Sequence, residues 1–242
     1  MADLIIIPTY NERENLPPLL EKIFDVVPKI EILIIDDNSP DKTGELVEHL
    51  QQSTYPKNLH LIKRAGKLGL GTAYITGFKW ALERDYHHVF EMDADFSHNP
   101  RYLPDFLARA KSGADLVLGS RYVAGGGVKN WGLLRRMISR GGSLYAKVIL
   151  GIPLNDLTGG FKCFKRRVLA KLDLDNVQCA GYAFQIELTY RAWLQGVNIQ
   201  ETPIIFADRT VGQSKMSKKI FLEAIWMVLW MRFHKKQLQG KA

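Results

Sequence analysis

Asp93 and Asp95 stand one residue apart in Phe90-Glu91-Met92-Asp93-Ala94-Asp95-Phe96-Ser97, directly behind an apolar run. Two carboxylates are hard oxygen ligands. A small divalent ion such as Mg²⁺ or Mn²⁺ is commonly held by one or two of them together with the phosphates of a substrate. The composition of residues 89–92 predicts a buried strand. If its pleat continues, residues i and i+2 share a face and both carboxylates enter one crevice. The competing reading is an acidic turn that caps a helix starting near Pro100.

Two more apolar runs end in polar clusters. Residues 4–7 stop at Pro8-Thr9-Tyr10-Asn11-Glu12, and residues 32–35 stop at Asp36-Asp37-Asn38-Ser39-Pro40. Continuous short apolar runs are the mark of strands covered on both faces. Such strands bring ligands to their carboxyl ends. A dinucleotide-binding dehydrogenase would carry Gly-X-Gly-X-X-Gly after its first strand; that place here holds Pro8 to Glu12.

The elements that must position these clusters alternate regularly. Leu16, Leu19, Leu20, Ile23 and Val27 recur at helical spacing after the first strand, and a second helix is expected over residues 43–52. A strand over 59–63 leads through Gly69-Leu70-Gly71 into a helix with Ala73, Gly77 and Ala81 on one face, a stripe small enough to lie close on a sheet. Helix 102–111 and strand 116–119 follow the acidic pair. The order predicts an α/β fold with a mainly parallel sheet. Beyond Ser120 the rhythm changes. Gly125-Gly126-Gly127 predicts a mobile or tightly turning loop, and a helix over 133–150 ends at Gly151 with Pro153 beyond. A strand near 160–164, a helix over 184–194, a strand over 198–206 and a basic loop over 208–219 complete the pattern.

Lys and Arg number 33 against 25 Asp and Glu, a net charge of +8 that favours anionic partners. Nucleic acid is a poor fit, because no aromatic and basic platform is present. Two cysteines, Cys163 and Cys179, make no disulfide framework and point to a reducing, cytoplasmic setting. No charged and apolar leader opens the chain, and no apolar run reaches the roughly 20 residues that cross a bilayer. Residues 220–233 are the most apolar stretch, with two Trp and a basic tail. A helix packed on the core and an interfacial membrane helix are both open for it.

Taken together, Pro8-Thr9-Tyr10-Asn11-Glu12, Asp36-Asp37-Asn38-Ser39-Pro40-Asp41, Lys67-Leu68-Gly69-Leu70-Gly71, Asp93-Ala94-Asp95, Gly119-Ser120-Arg121, and Asp208-Arg209 with Lys215 resemble, in order and over residues 3–219, the dolichol-phosphate (polyprenol-phosphate) mannose synthases. These are family 2 glycosyltransferases. The resemblance implies a GT-A fold over 1–219; beyond it, the composition of 220–242 is read as a C-terminal amphipathic helix and basic tail. The resemblance also implies a metal-dependent, inverting transfer of mannose from GDP-mannose to a polyprenyl (dolichyl) phosphate. UDP-glucose as donor, and a non-catalytic nucleotide-sugar or lipid-binding subunit, are the alternatives.

By the same resemblance Pro8, Tyr10, Glu12, Ile35 and Asp37 hold the nucleoside. Asp93, Ala94 and Asp95 hold the diphosphate, with Asp93 and Asp95 on a Mg²⁺ or Mn²⁺ ion. Arg121, Arg209 and Lys215 line the donor phosphates, and Arg121, Arg135 and Ser139 hold the lipid phosphate. Some relatives carry Gln as a metal ligand where this chain has Ser97; Ser97 is left out of the metal set, with water expected in that place. Asp93, Asp95 and Arg121 are the expected catalytic set.

Arg135 and Ser139 also stand at i and i+4 of the helix from Leu133, where one face could cradle a phosphate. Arg135, Arg136 and Arg140 as a solvated or membrane-facing surface is the other reading. Residues 122–131 read equally as an acceptor loop or a plain flexible one. Asp156 and Glu187 are expected to make buried hydrogen bonds or caps rather than act as bases. His87, His88 and His98 are expected to be surface or internally satisfied groups. The implied location is the cytosolic face of a membrane, peripheral through 220–236, alone or with a small membrane-anchoring partner.

Overall fold

The computed structural model describes residues 2–179, 181, 183–208 and 218–239, the last segment from 223 onward for side chains. Strand β1 (Ala2–Thr9) is followed by α1 (Leu16–Val26), β2 (Glu31–Asp36), α2 (Thr43–Ser53), β3 (Leu59–Lys63), α3 (Leu70–Leu82) and β4 (Tyr86–Glu91). A 3₁₀ turn at Pro100–Tyr102 opens α4 (Leu103–Lys111), after which come β5 (Leu116–Ser120), β6 (Gly127–Lys129) and the long α5 (Leu133–Leu150). Then follow β7 (Lys162–Lys165), the short α6 (Arg166–Leu169), α7 (Ala183–Leu194), β8 (Ile199–Pro203), β9 (Ile205–Ala207), α8 (Lys218–Phe233) and α9 (Lys235–Leu238).

Seven strands form one sheet in the order β3-β2-β1-β4-β7-β5-β8. The strand period sorts its side chains to two cores. Leu4 and Ile6 pack with Tyr74, Phe78 and Phe184 on one face, while Ile5 and Ile7 pack with Leu16, Leu19 and Phe106 on the other. Leu4 through Ile7 are all fully buried. Each such side chain contributes about 1.5–3 kcal/mol by leaving water. The stripe of small residues on α3 works as expected: a Cβ on Gly77 would lie 2.6 Å from Ile6 Cγ2.

Three features depart from the sequence reading. The strand expected over 89–92 runs from Tyr86 to Glu91, so Asp93 and Asp95 stand in a turn beyond it and not on a continued pleat. The strand near 160–164 enters between β4 and β5 and runs antiparallel to both. The strand over 198–206 breaks at Ile204. Its N–H still bonds to Ser120 O, but its carbonyl accepts from Gly127 N, and the chain passes into a second, parallel pair of β6 with β9. The glycine loop is therefore of the tightly turning kind: a Cβ on Gly126 would sit 2.6 Å from Ser120 O. Helix α8 packs on the same core as α3 and α7 through Ala224, Val228 and Met231. Among the described residues no helix is long and apolar enough to cross a membrane.

Candidate active site

β1, β2, β4 and β5 run parallel to their parallel partners in one direction, so Thr9, Asp36, Glu91 and Ser120 end along one edge of the sheet. The first two ends are sewn together. Asp36 accepts from Thr9 Oγ1 at 3.0 Å and from both the backbone N–H and hydroxyl of Ser39. Asn11 N donates to Ser39 Oγ, and Glu12 N donates to Thr43 Oγ1. Asn11 and Asn38 take the left-handed conformation that Asn tolerates better than most residues. The loops bearing Tyr10, Glu12 and Asp37 thus form one wall.

Asp37 is buried and paired with Arg64, whose Nε lies 2.5 Å from Asp37 Oδ1. Arg64 is anchored in turn on Thr72 Oγ1 and Gly69 O. Lys67 sits over the Tyr10 ring at 4.2 Å. Pro8 pairs beside Ile35 in the β1–β2 register. Ile35 is fully buried in the core, two residues before Asp37 at the same strand end.

The acidic turn is built from both sides. Asp93 Oδ1 accepts from Tyr74 Oη at 3.1 Å, and the Asp93 N–H donates to His98 Nδ1 at 3.0 Å. His98 Nδ1 is thus an acceptor, which puts the ring proton on Nε2, 3.9 Å from Asp93 Oδ2. Asp95 is buried and its Oδ1 accepts from Ser97 N, while Phe96 between them has a positive φ of 62°. Asp95 does not cap the next helix. Asn99 does, accepting from Arg101 N, so the capping reading of the acidic pair falls away. Ala94 is buried in the core, and the Ser97 hydroxyl is buried with no hydrogen-bond partner among the described residues.

Tyr74 and His98 carry no motif and were not expected here; the one signal for Tyr74 is a large polar-tipped ring among the small residues of α3. Burial, and then the Asp93 charge, push the Tyr74 phenol far above its ordinary range, so it stays a donor. Burial pulls His98 down against the raising effect of Asp93 and Asp95. Of His87, His88 and His98, the last two are buried and bonded, His98 to the Asp93 N–H and His88 to Asp3 at 2.7 Å. Glu91, fully buried, ends β4 opposite Lys162 with 3.9 Å between their charged atoms. Burial raises Glu91 to about 7 against the pull of Lys162, and burial lowers Lys162 to about 8.

Across the crevice Arg121 follows β5. Its Nε and Nη2 donate to Asp156 Oδ2 and Oδ1 at 2.7 and 2.6 Å, and its backbone N–H donates to Oδ2 at 2.9 Å. One edge of the Arg121 guanidinium, Nε with Nη2, is thus occupied by a carboxylate. Burial opposes the charge on Asp156, but Arg121 outweighs it and holds the carboxyl below its usual range. Asp156 and Glu187 make buried hydrogen bonds, as expected; Glu187 accepts from Gln178 N, Cys179 N and Arg191 Nε.

Ser139 accepts from Tyr122 Oη at 2.7 Å, and Arg135 lies 4.2 Å over Trp131 and 2.7 Å from Asp208 Oδ1. Residues 122–131 thus close over α5 with their aromatic ends. Phe206 joins the two sides: its ring lies 5.6 Å from that of His98 and 5.4 Å from the Arg121 guanidinium. Arg209 and Lys215 lie outside the described residues. Among the described residues no group of three or more His, Cys, Asp or Glu converges on one point. A divalent ion shared with substrate phosphates commonly takes only one or two carboxylates from the protein.

The family profile of glycosyl transferase family 2 matches residues 4–173. Over 225 residues, 93% of this chain, it is 45% identical to the polyprenol monophosphomannose synthase of Mycolicibacterium smegmatis, covering 84% of that protein. Identity is likewise 45%, over 91% of that relative, with the undecaprenyl-phosphate mannosyltransferase of Micrococcus luteus. Among solved structures the fold is similar to the mannosyltransferase PcManGT from Pyrobaculum calidifontis in complex with GDP-Man and Mn²⁺. The TM-score there is 0.63 at 17% identity, over 99% of this chain and 65% of that one. Glucosyl-3-phosphoglycerate synthase from Mycobacterium tuberculosis with Mn²⁺, UDP and glucosyl-3-phosphoglycerate gives 0.63 at 15% identity, over 100% of this chain and 81% of that one. The sheet has the GT-A architecture of these neighbours, and the chain belongs to glycosyl transferase family 2, as a glycosyltransferase.

Proposed function

We propose that this enzyme transfers mannose from GDP-mannose to the phosphate of a polyprenyl phosphate, with inversion at the sugar carbon. The observation that carries the reading is the shared aromatic wall. Phe206 stands between His98, which fixes the Asp93 turn, and Arg121, which opens the acceptor side. Acidic turn and basic cradle therefore border one space. The substrates named for the two 45%-identical relatives support a lipid-phosphate acceptor and mannose as the sugar.

In this reading Tyr10, Glu12 and Asp37 hold the nucleoside, with Pro8 shaping the strand end. Asp93 and Asp95 would hold a divalent ion, which would offset charge on the departing diphosphate. Arg209 and Lys215, proposed from sequence, add positive charge there. The acceptor needs no protein base, because a phosphate monoester with a second pKa of about 6 is already a nucleophile at neutral pH. One of its oxygens bonds to the sugar carbon as the bond to the diphosphate oxygen breaks, through an oxocarbenium-like state. Arg121, Arg135 and Ser139 hold that phosphate in line.

The acceptor lies in a membrane, and α5 is built to meet one. Its inner face buries Ser139, Ser143, Ala146 and Leu150, while Leu133, Leu134, Met137, Leu144 and Val148 are exposed beside Arg136 and Arg140. An apolar row flanked by basic residues suits an anionic bilayer surface. Trp226 and Phe233 of α8 are exposed as well, so the contact expected over 220–236 is proposed to be shared with α5.

Calorimetric titration with GDP-mannose and with UDP-glucose, each with Mn²⁺, tests the donor. Tighter binding of GDP-mannose that is lost in Asp37→Ala is the expected result; a preference for UDP-glucose overturns the donor assignment.

A further inference from the structure

Arg121 would be a poor phosphate ligand if left to itself in this site, because a buried guanidinium without a fixed geometry pays heavily for desolvation. The chain fixes it with one side chain. Asp156 is 1% exposed and receives the Arg121 backbone N–H, Nε and Nη2 together. The second hydrogen of Nη2 goes to Thr158 Oγ1 at 2.7 Å.

Asp156 is itself held from behind. Glu201 accepts the N–H groups of Asn155 and Asp156, each at 3.0 Å. Thr158 also meets Ser143 Oγ at 3.1 Å on α5, one turn beyond Ser139. The orientation of Arg121 is therefore referred to the same helix that carries Arg135 and Ser139.

We infer that Asp156 is a positioning residue for the acceptor phosphate: it sets the Arg121 guanidinium in one orientation, so that a lipid phosphate meets a single oriented donor group registered against α5. The inference rests on the proposed role of Arg121. Asp156 does not touch substrate, and it serves neither as base nor as metal ligand. A bidentate charge-assisted pair is the arrangement that fixes a guanidinium plane most firmly.

The test is steady-state mannosyl transfer to a short polyprenyl phosphate by wild type, Asp156→Asn, Arg121→Ala and the double variant, with GDP affinity measured for each. Asp156→Asn should raise the acceptor KM about tenfold, the scale of one charge-assisted hydrogen bond, with donor KM and GDP affinity within about twofold of wild type. In the Arg121→Ala background the same change should add nothing further. An Asp156→Asn effect that persists in full without Arg121, or an unchanged acceptor KM beside a raised one in Arg121→Ala, overturns the inference. A wild-type acceptor KM in Arg121→Ala instead removes the reading beneath it, and the inference with it. Where Asp156→Asn fails to fold, Thr158→Val takes its place. It deletes one Arg121 contact, and it should raise the acceptor KM alone; no change overturns the inference.

Discussion

Arg135 Nη1 donates to Asp208 Oδ1 at 2.7 Å, joining the helix proposed to hold the lipid phosphate to the end of the β6–β9 ribbon. Both side chains are about one-third exposed, unlike the buried Arg121–Asp156 pair. An acceptor phosphate must share or replace this carboxylate on Arg135. Asp208→Asn should lower the acceptor KM by about threefold, since a partly exposed pair is worth at most about 1 kcal/mol. Acceptor kinetics at fixed donor measure it, and a raised acceptor KM would show that Asp208 helps the lipid bind.

His98 closes the acidic turn through the Asp93 N–H and stacks on Phe161 with ring centroids 5.0 Å apart. His98→Phe retains an aromatic body and removes the acceptor, leaving a part-buried backbone donor unmade at a cost of about 1–3 kcal/mol. Urea unfolding should register that loss, and Mn²⁺ titration in the presence of GDP should show weaker binding. Unchanged Mn²⁺ affinity would separate His98 from the diphosphate site.

Glu91 and Lys162 make stability depend on pH in a definite direction. Glu91 is raised from 4.5 to about 7, so the folded state binds more protons than the unfolded state between those values, and stability falls as pH rises through that window. The shift corresponds to up to about 3 kcal/mol. Lys162 is lowered from 10.5 to about 8, so stability is regained as pH rises from 8 to 10.5. Denaturation midpoints from pH 5 to 7 should fall for the wild type, while Glu91→Gln flattens or reverses that slope. A wild-type slope retained in Glu91→Gln would assign it elsewhere.

The exposed row on α5 gives a physical test of membrane contact. Replacing Leu134 and Leu144 by Glu should abolish flotation with vesicles containing anionic lipid, as each buried Leu contributes about 2 kcal/mol. GDP affinity should stay unchanged. Full flotation of that variant would move the contact to α8.

What was legible in the sequence follows from range. Residues 4–7 and 32–35 announce buried strands because burial on both faces demands an unbroken apolar run, and the polar clusters behind them mark the sheet edge that holds the site. The direction of β7 was not legible. Four residues, Lys162–Lys165, carry no local mark of antiparallel pairing, which shows only in their register with β4 and β5 on either side. The partner of Arg121 was hidden for a similar reason: Asp156 lies 35 residues away, so its hold on one guanidinium edge appears only in three dimensions. Tyr74 and His98 reach Asp93 from a helix and a turn whose patterns report packing alone.

The measurement closest to the centre of this account is transfer of labelled mannose from GDP-mannose to a short polyprenyl phosphate, by wild type and Asp95→Ala, with Mn²⁺ and with chelator. The predicted result is a β-linked mannolipid formed by the wild type alone and abolished by chelator. An α-linked product, formation undiminished in Asp95→Ala, or no mannolipid under conditions where GDP-mannose binds would contradict it.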